Sequence, residues 1–269
     1  MTWRTVANRD WRLIVGARSA KVLLALVALG VVLAGYIYPV VTAEPYTTSR
    51  FPAFVEGILT TLVPFVGVLL GYNAVVSDRE SGAIRLSLSL PQSRSDVVLG
   101  AYVSRTGLLA ATLAGSLAVA GALVVYPFGQ LQLGRFLVFV ALTVAYGAVW
   151  SGLGIAVSLA VATKRRALVL GFVLLFLFVV VWDALESAAL LGLSSAGIVD
   201  GELPGAAELA FGLEPGRAFG RATAGLVDPT RTVEGAWYLG GWVALAVLVL
   251  WVVGPLGLAY ARFARRDLS

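Results

Sequence analysis

The chain of 269 residues is strongly apolar, with 59% hydrophobic and 13% charged residues. A water-soluble domain carries about 25% charged residues, so this composition predicts a protein whose surface faces lipid. The absence of Cys and His excludes disulfides, thiolate or imidazole catalysis and most transition-metal sites. The net charge of +5 is typical of a membrane protein whose basic loops lie near anionic lipid headgroups, and does not indicate nucleic-acid binding.

The first predicted element is a basic amphipathic segment over residues 1–20. Apolar residues recur there at steps of three and four, with arginines between them, from Trp3 through Val6, Ala7 and Trp11 to Ile14. This pattern predicts a helix in the inner membrane interface, with tryptophans at the acyl boundary and arginines at the headgroups. The alternative is a solvated basic tail.

Six segments are apolar enough to span a bilayer, which requires about 20 mostly apolar residues. They are residues 21–41, 57–76, 97–126, 136–162, 167–191 and 237–260, within a single transmembrane domain over 21–269. Lys and Arg concentrate in alternate connections, on the same side as both termini. The positive-inside rule therefore predicts cytoplasmic termini, and we expect an all-α, multi-pass protein of the cell membrane.

The segment between the second and third spans combines several helix signals. Ser77 followed by Glu80 fits a capping box, and Pro91 would end the helix that begins there. From Ile84 to Leu90 apolar and polar residues alternate as in a half-buried strand, yet no second strand is predicted on this side to pair with it. We therefore predict a short helix, which by itself could simply tie the two spans together.

The same segment resembles the signature of ABC transporter permeases of the second exporter type, in the pattern Glu80-x-Gly82-x-x-x-Leu86-x-Leu88-x-x-Pro91-x-Ser93-Arg94. The subgroup that it resembles most is the permeases associated with copper-site maturation of nitrous oxide reductase. The resemblance implies that the segment is a cytoplasmic coupling helix that sits in a groove of an ATPase. The implied coupling residues are Glu80, Gly82, Leu86, Pro91 and Arg94.

ATP binding is expected in a partner subunit. The lysines of the chain are Lys21 and Lys164, and neither ends a Walker A loop. We therefore expect no catalytic residue, metal site or cofactor in this chain. ATP and Mg²⁺ would be bound by a separate ABC ATPase, present in two copies, and six spans imply a homodimer or a second permease.

The expected function is that of a permease coupling ATP hydrolysis by the partner to export or extraction of a substrate. The alternative is a non-transporting scaffold that relays ATPase-driven force to an extracytoplasmic partner protein. The candidate surface for such a partner is the long external loop 192–236, in which a short helix is predicted over residues 206–213. A loop of this length is usually functional or disordered.

Residues inside the spans give further candidates. The resemblance implies that the second span builds a dimer seam or translocation path, and four small or weakly polar residues there share one face, namely Thr60, Pro64, Gly67 and Gly71. Arg105 is predicted about 12 Å inside the third span, where it would extend to the inner headgroups, pair with a carboxylate such as Asp96 or Glu80, or bind substrate. Asp183 and Glu186 lie one turn apart near the outer interface. They either guide a cation, bind a partner, or are ionised groups placed at the outer boundary without a further role.

Overall fold

The computed structural model describes residues 3–80, 93–126, 128–231 and 236–265. These residues form helices connected by short turns and one longer connection. The helices are α1 (Trp3–Gly16), α2 (Arg18–Val41), α3 (Phe51–Gly71), α4 (Val76–Glu80), α5 (Arg94–Val125), α6 (Leu133–Ala160), α7 (Lys164–Leu175), α8 (Trp182–Ser195), α9 (Gly205–Gly212), α10 (Pro215–Leu226) and α11 (Gly241–Arg265). A π-helical stretch, Phe176–Val181, joins α7 to α8, and a 3-10 turn, Trp237–Leu239, precedes α11.

Six helices of the described residues are long and apolar enough to cross a membrane: α2, α3, α5, α6, the continuous α7–α8 unit and α11. This confirms the predicted all-α integral membrane fold. We call the end of the bundle where α2 begins and α11 ends the terminal end, because the first and last described residues, Trp3 and Arg265, lie there.

All six spans have bounds that differ by a few residues from the predicted ones, and the second and last spans differ most. The second span is Phe51–Gly71, not 57–76, and its start includes Glu56. Arg231 neutralises this carboxylate, with Nη1 2.7 Å from Oε2, so the helix accommodates an acid that the prediction excluded. The last span is Gly241–Arg265, not 237–260.

The fourth span, α6, is the central helix of the bundle. Its most apolar stretch is 61% buried, against 11% for the fifth and last spans. α3 packs closely against it: a Cβ on Gly67 would lie 2.7 Å from Trp150 Cβ, and one on Gly71 would lie 2.8 Å from Gly154 Cα. The glycine face of the second span therefore packs against α6 of the same chain. This corrects the prediction that Gly67 and Gly71 form a seam between two subunits.

The predicted amphipathic helix is present as α1, but its apolar face is divided. Val6, Ala7 and Ile14 are buried, whereas Trp3 and Trp11 remain 36% exposed. A Cβ on Gly100 of α5 would lie 2.7 Å from Val6 Cβ, which shows how closely α1 packs on the third span. The helix therefore packs on protein through Val6, Ala7 and Ile14, while the two tryptophans that were predicted at the acyl boundary stay partly exposed.

The long connection folds back into the bundle as a hairpin of α9 and α10. α9 lies within one residue of the predicted helix, whereas α10 was not specifically predicted. Phe219 of α10 stacks on Tyr146 with ring centroids 4.8 Å apart, and both rings are almost fully buried. Trp251 of α11 donates its indole N–H to the carbonyl of Leu213 at 2.7 Å. These contacts hold the hairpin between α6 and α11, at the end of the bundle opposite the terminal end.

Candidate functional site

The predicted coupling segment is described only at its two flanks. Gly82, Leu86 and Pro91 lie outside the described residues, while Glu80 and Arg94 stand on either side of the gap. The contacts of these flanks define how residues 81–92 are attached to the spans.

The predicted capping box at Ser77 is wrong, because α4 begins one residue earlier at Val76. The acceptor for its first amides is the hydroxyl of Ser158 in α6, which lies 2.9 Å from the backbone N of Val75 and 2.9 Å from that of Val76. A capping box does occur at the other flank, at the start of α5. There Ser93 Oγ accepts from the amide of Asp96 at 3.1 Å, and Asp96 Oδ2 accepts from the amide of Ser93 at 3.1 Å.

The first flank is attached to the fourth and fifth spans. Glu80 Oε2 accepts a hydrogen bond from the backbone N–H of Lys164 at 3.1 Å, at the first turn of α7. Arg79 Nη1 donates to the carbonyls of Leu159 and Val161 at 3.3 Å each, at the last turn of α6. The helix dipole favours a negative charge at a helix N-terminus and a positive charge at a C-terminus, so both contacts are electrostatically favourable.

Both flanks are attached to the last span at one residue, Phe263. Arg94 Nη1 donates to the carbonyls of Phe263 and Ala264 at 3.1 Å each. The guanidinium carbons of Arg79 and Arg94 each lie 5.7 Å from the centroid of the Phe263 ring, which is 1% exposed. Two cations thus contact one buried ring, so Arg79 and Arg94 join the two flanks to the end of α11.

Arg105 has a different partner from those predicted. Its Nε lies 3.3 Å from Oδ2 of Asp10, and the side chains are only 9% and 18% exposed. Nη1 donates to the carbonyl of Leu70 and, at 3.1 Å, to Oδ1 of Asn73, at the end of α3. The predicted pairs with Asp96 or Glu80 are wrong because α1 runs alongside α5. Asp10 therefore lies beside Ser104, whose hydroxyl donates to Asp10 Oδ2 at 2.5 Å, whereas Asp96 lies two turns earlier on α5.

The two acids of the fifth span hold the hairpin. Arg217 in α10 pairs with Asp183 Oδ1 at 2.6 Å and also with Glu186. Hydrogen bonds to Glu186 and Asp183 raise the pKa of Arg217 above its usual value. Burial raises the pKa of Glu214, whose carboxylate caps α10 by accepting from the amides of Gly216 at 2.8 Å and Arg217 at 2.6 Å.

The remaining candidate residues of the second span, Thr60 and Pro64, also contact other parts of this chain. Pro64 is buried, and the carbonyl of Thr60 accepts from the hydroxyl of Tyr146 at 3.5 Å. Thr60 lines a cavity of about 340 Å³ at the end opposite the termini, together with Asp183 and Arg217. Across the described ranges, no three acidic, His or Cys side chains are grouped so that they could hold a metal ion.

Comparison with known proteins gives consistent matches along the chain. The model of the ABC-2 family transporter protein matches residues 4–268. The probable ABC transporter permease protein NosY of Pseudomonas aeruginosa is 31% identical over 236 residues, which cover 84% of this chain and 82% of that protein. The protein of the same name from Stutzerimonas stutzeri is 31% identical over 227 residues, covering 80% of this chain and 79% of its own length.

Proposed function

The chain belongs to the ABC-2 family of transporter permeases, and on this premise we propose that it couples ATP hydrolysis by a separate ATPase subunit to export or extraction of a substrate. The single observation that supports this proposal is that the residues on both sides of 81–92, namely Arg79, Glu80 and Arg94, are bound to the spans. A segment held at both ends by the membrane helices is suited to transmit movement of a bound ATPase.

The ATPase would bind at the terminal end of the bundle, which we propose is cytoplasmic because Arg79, Arg94 and residues 164–166 lie there. Gly82, Leu86 and Pro91 would contact the ATPase. Glu80 and Arg94 have partners within the chain. Their proposed role is therefore to hold the segment, which modifies the expectation that they are ATPase contacts.

Transmission would follow the three attachments. A force on residues 81–92 acts on the start of α7 through Glu80, on the end of α6 through Arg79, and on the end of α11 through Arg79 and Arg94 at Phe263. Hydrogen bonds that involve a charged group contribute about 1.5–3 kcal/mol each, so the attachments can remain intact while the spans shift.

The functional assembly would contain two ATPase copies, each binding ATP and Mg²⁺, and either two copies of this chain or one copy with a second permease. The second subunit would pack on a surface other than the Gly67–Gly71 face, since α6 already covers that face. The fifth and last spans are the most exposed, and they are the candidates for this contact.

A second candidate function is force transmission to an extracytoplasmic protein without transport. The observation that favours it is the α9–α10 hairpin, which Arg217 ties to the fifth span. A force that moves α7–α8 would also move this hairpin, and residues 192–236 would present the binding surface.

Docking is tested by co-purification of an ABC ATPase that binds the wild-type chain with the Gly82→Trp and Leu86→Asp variants. We expect both variants to lose the ATPase, while Arg135→Ala, an exposed site at the opposite end, retains it. Normal co-purification of both variants would show that the ATPase binds elsewhere.

A further inference from the structure

A cavity of about 250 Å³ lies at the terminal end of the bundle. Its walls come from α1, from the first turns of α2 at Ser19 and Leu23, and from the end of α3 and the residues after it at Leu69 and Asn73. Since α2 begins and α3 ends here, the cavity lies at the depth where the apolar core of the membrane gives way to headgroups.

The charges that line the cavity favour an anion. Arg9 and Arg105 contribute two cations and Asp10 one anion. Arg105 and Asp10 neutralise each other at the inner wall, which leaves Arg9 as the uncompensated charge. Arg9 is exposed and makes no ion pair with any residue in the described part of the chain.

The lining also offers neutral hydrogen-bond donors. Ser19 and Asn73 line the same space, with a hydroxyl and an amide side chain that can donate hydrogen bonds. The residue before α2 is Ala17, which provides no side-chain cap for the first turn of that helix. Cation, hydroxyl and amide donors around one space are the groups that bind phosphate.

An apolar wall distinguishes this cavity from a site for a free anion. Leu13, Leu23 and Leu69 line it beside the polar groups. Leu13 is 65% exposed, and the next residues on the outer face of α2, Val22 and Leu26, are 66% and 48% exposed. An apolar path therefore continues from the cavity along α2 into the membrane, as an acyl chain requires.

We propose that this cavity binds the head group of an anionic phospholipid, with Arg9 on the phosphate and an acyl chain along Leu13, Leu23 and α2. The bound lipid joins α1, α2 and the polar residues after α3. Because Ser77 belongs to α4, which leads into residues 81–92, the lipid also fixes the position from which that segment starts.

The test uses the purified full-length chain, reconstituted in nanodiscs of phosphatidylcholine with phosphatidylglycerol and then released into detergent. Native mass spectrometry counts the phosphatidylglycerol that each chain retains. We expect wild type to retain one molecule and Arg9→Gln to retain it about tenfold less well, as loss of a charge-assisted contact implies. Arg12→Gln removes a neighbouring exposed arginine that does not line the cavity, and this control should behave as wild type.

One further variant and one further condition distinguish lipid binding in the cavity from a general attraction of anions to the protein. Ser19→Trp blocks the cavity while Arg9 stays in place, and it should lose the lipid without change in the melting temperature. Excess inorganic phosphate should not displace the lipid. Equal losses for Arg9→Gln and Arg12→Gln, retention by Ser19→Trp, or displacement by inorganic phosphate would each overturn the proposal.

Discussion

Replacement of Asp10 by Asn should destabilise the bundle, because it removes the carboxylate that pairs with the buried Arg105 guanidinium. The Arg105 side chain is 9% exposed and keeps its bonds to the Leu70 carbonyl and Asn73. Removing one partner of a fully buried ion pair costs about 3–5 kcal/mol. Since Asp10 is 18% exposed and two contacts of Arg105 survive, we expect a loss of about 2 kcal/mol, which lowers Tm by about 4–8 °C.

The assay is thermal unfolding in one detergent, followed by tryptophan fluorescence. Asp200→Asn, an exposed acid in the connection between α8 and α9, is the matched control and should leave Tm within 1 °C of wild type, as expected for surface substitutions of about 0.5 kcal/mol or less. Asp10→Asn combined with Arg105→Met should recover part of the loss, because no unpaired charge remains. Equal Tm values for Asp10→Asn and Asp200→Asn would refute the assignment of Asp10 as the partner of Arg105.

Three other predictions follow from the packing and the topology. Gly71→Ala should destabilise the protein by about 1–3 kcal/mol through overpacking against α6, whereas Gly57→Ala, which has open space around its Cβ position, should not; equal melting temperatures would contradict this packing. Ser158→Ala should lower Tm because the amides of Val75 and Val76, at the start of α4, lose their acceptor, at a cost of about 1–3 kcal/mol. An unchanged Tm would show that those amides find other acceptors. In this Cys-free chain, an impermeant maleimide should label Ser195→Cys but not Ser93→Cys in intact cells, and the reverse pattern would invert the proposed orientation.

The spans could be predicted because each is long and apolar by itself. A stretch such as 21–41 contains the whole signal for a membrane helix, and neighbours change only its ends. Glu56 shows the limit: the second span was predicted to start after it, because the sequence does not reveal that Arg231, far along the chain, neutralises this carboxylate.

The partners inside the bundle could not be predicted in the same way. The small residues at Gly67 and Gly71 correctly indicate a close helix contact, but their pattern is identical whether the facing helix belongs to this chain or to a second copy. The pairing of Arg105 with Asp10 depends on how α1 runs along α5. The sequence did contain one hint, because Asp10 is an isolated acid within a basic leader.

Two helix starts illustrate a local signal that was present and one that was not. α10 begins with Glu214 followed by Pro215, an acidic cap and a proline in the first turn, which together are typical of a helix N-terminus. Its buried residues, such as Ala218, Phe219 and Ala222, also fall on one face of the helix, so the sequence contained an amphipathic signal here as well. The start of α4 is capped by Ser158 from another span, and no local pattern encodes such a contact.

The central claim is that Arg79 and Arg94 transmit force from residues 81–92 to the spans, and ATPase stimulation tests it most directly. The complex of this chain with its ATPase, reconstituted in liposomes, should be compared with the Arg79→Ala/Arg94→Ala variant at equal ATPase occupancy. We predict that the variant still binds the ATPase but loses most of the stimulation. Full stimulation at equal occupancy would contradict the claim and would place the mechanical connection elsewhere.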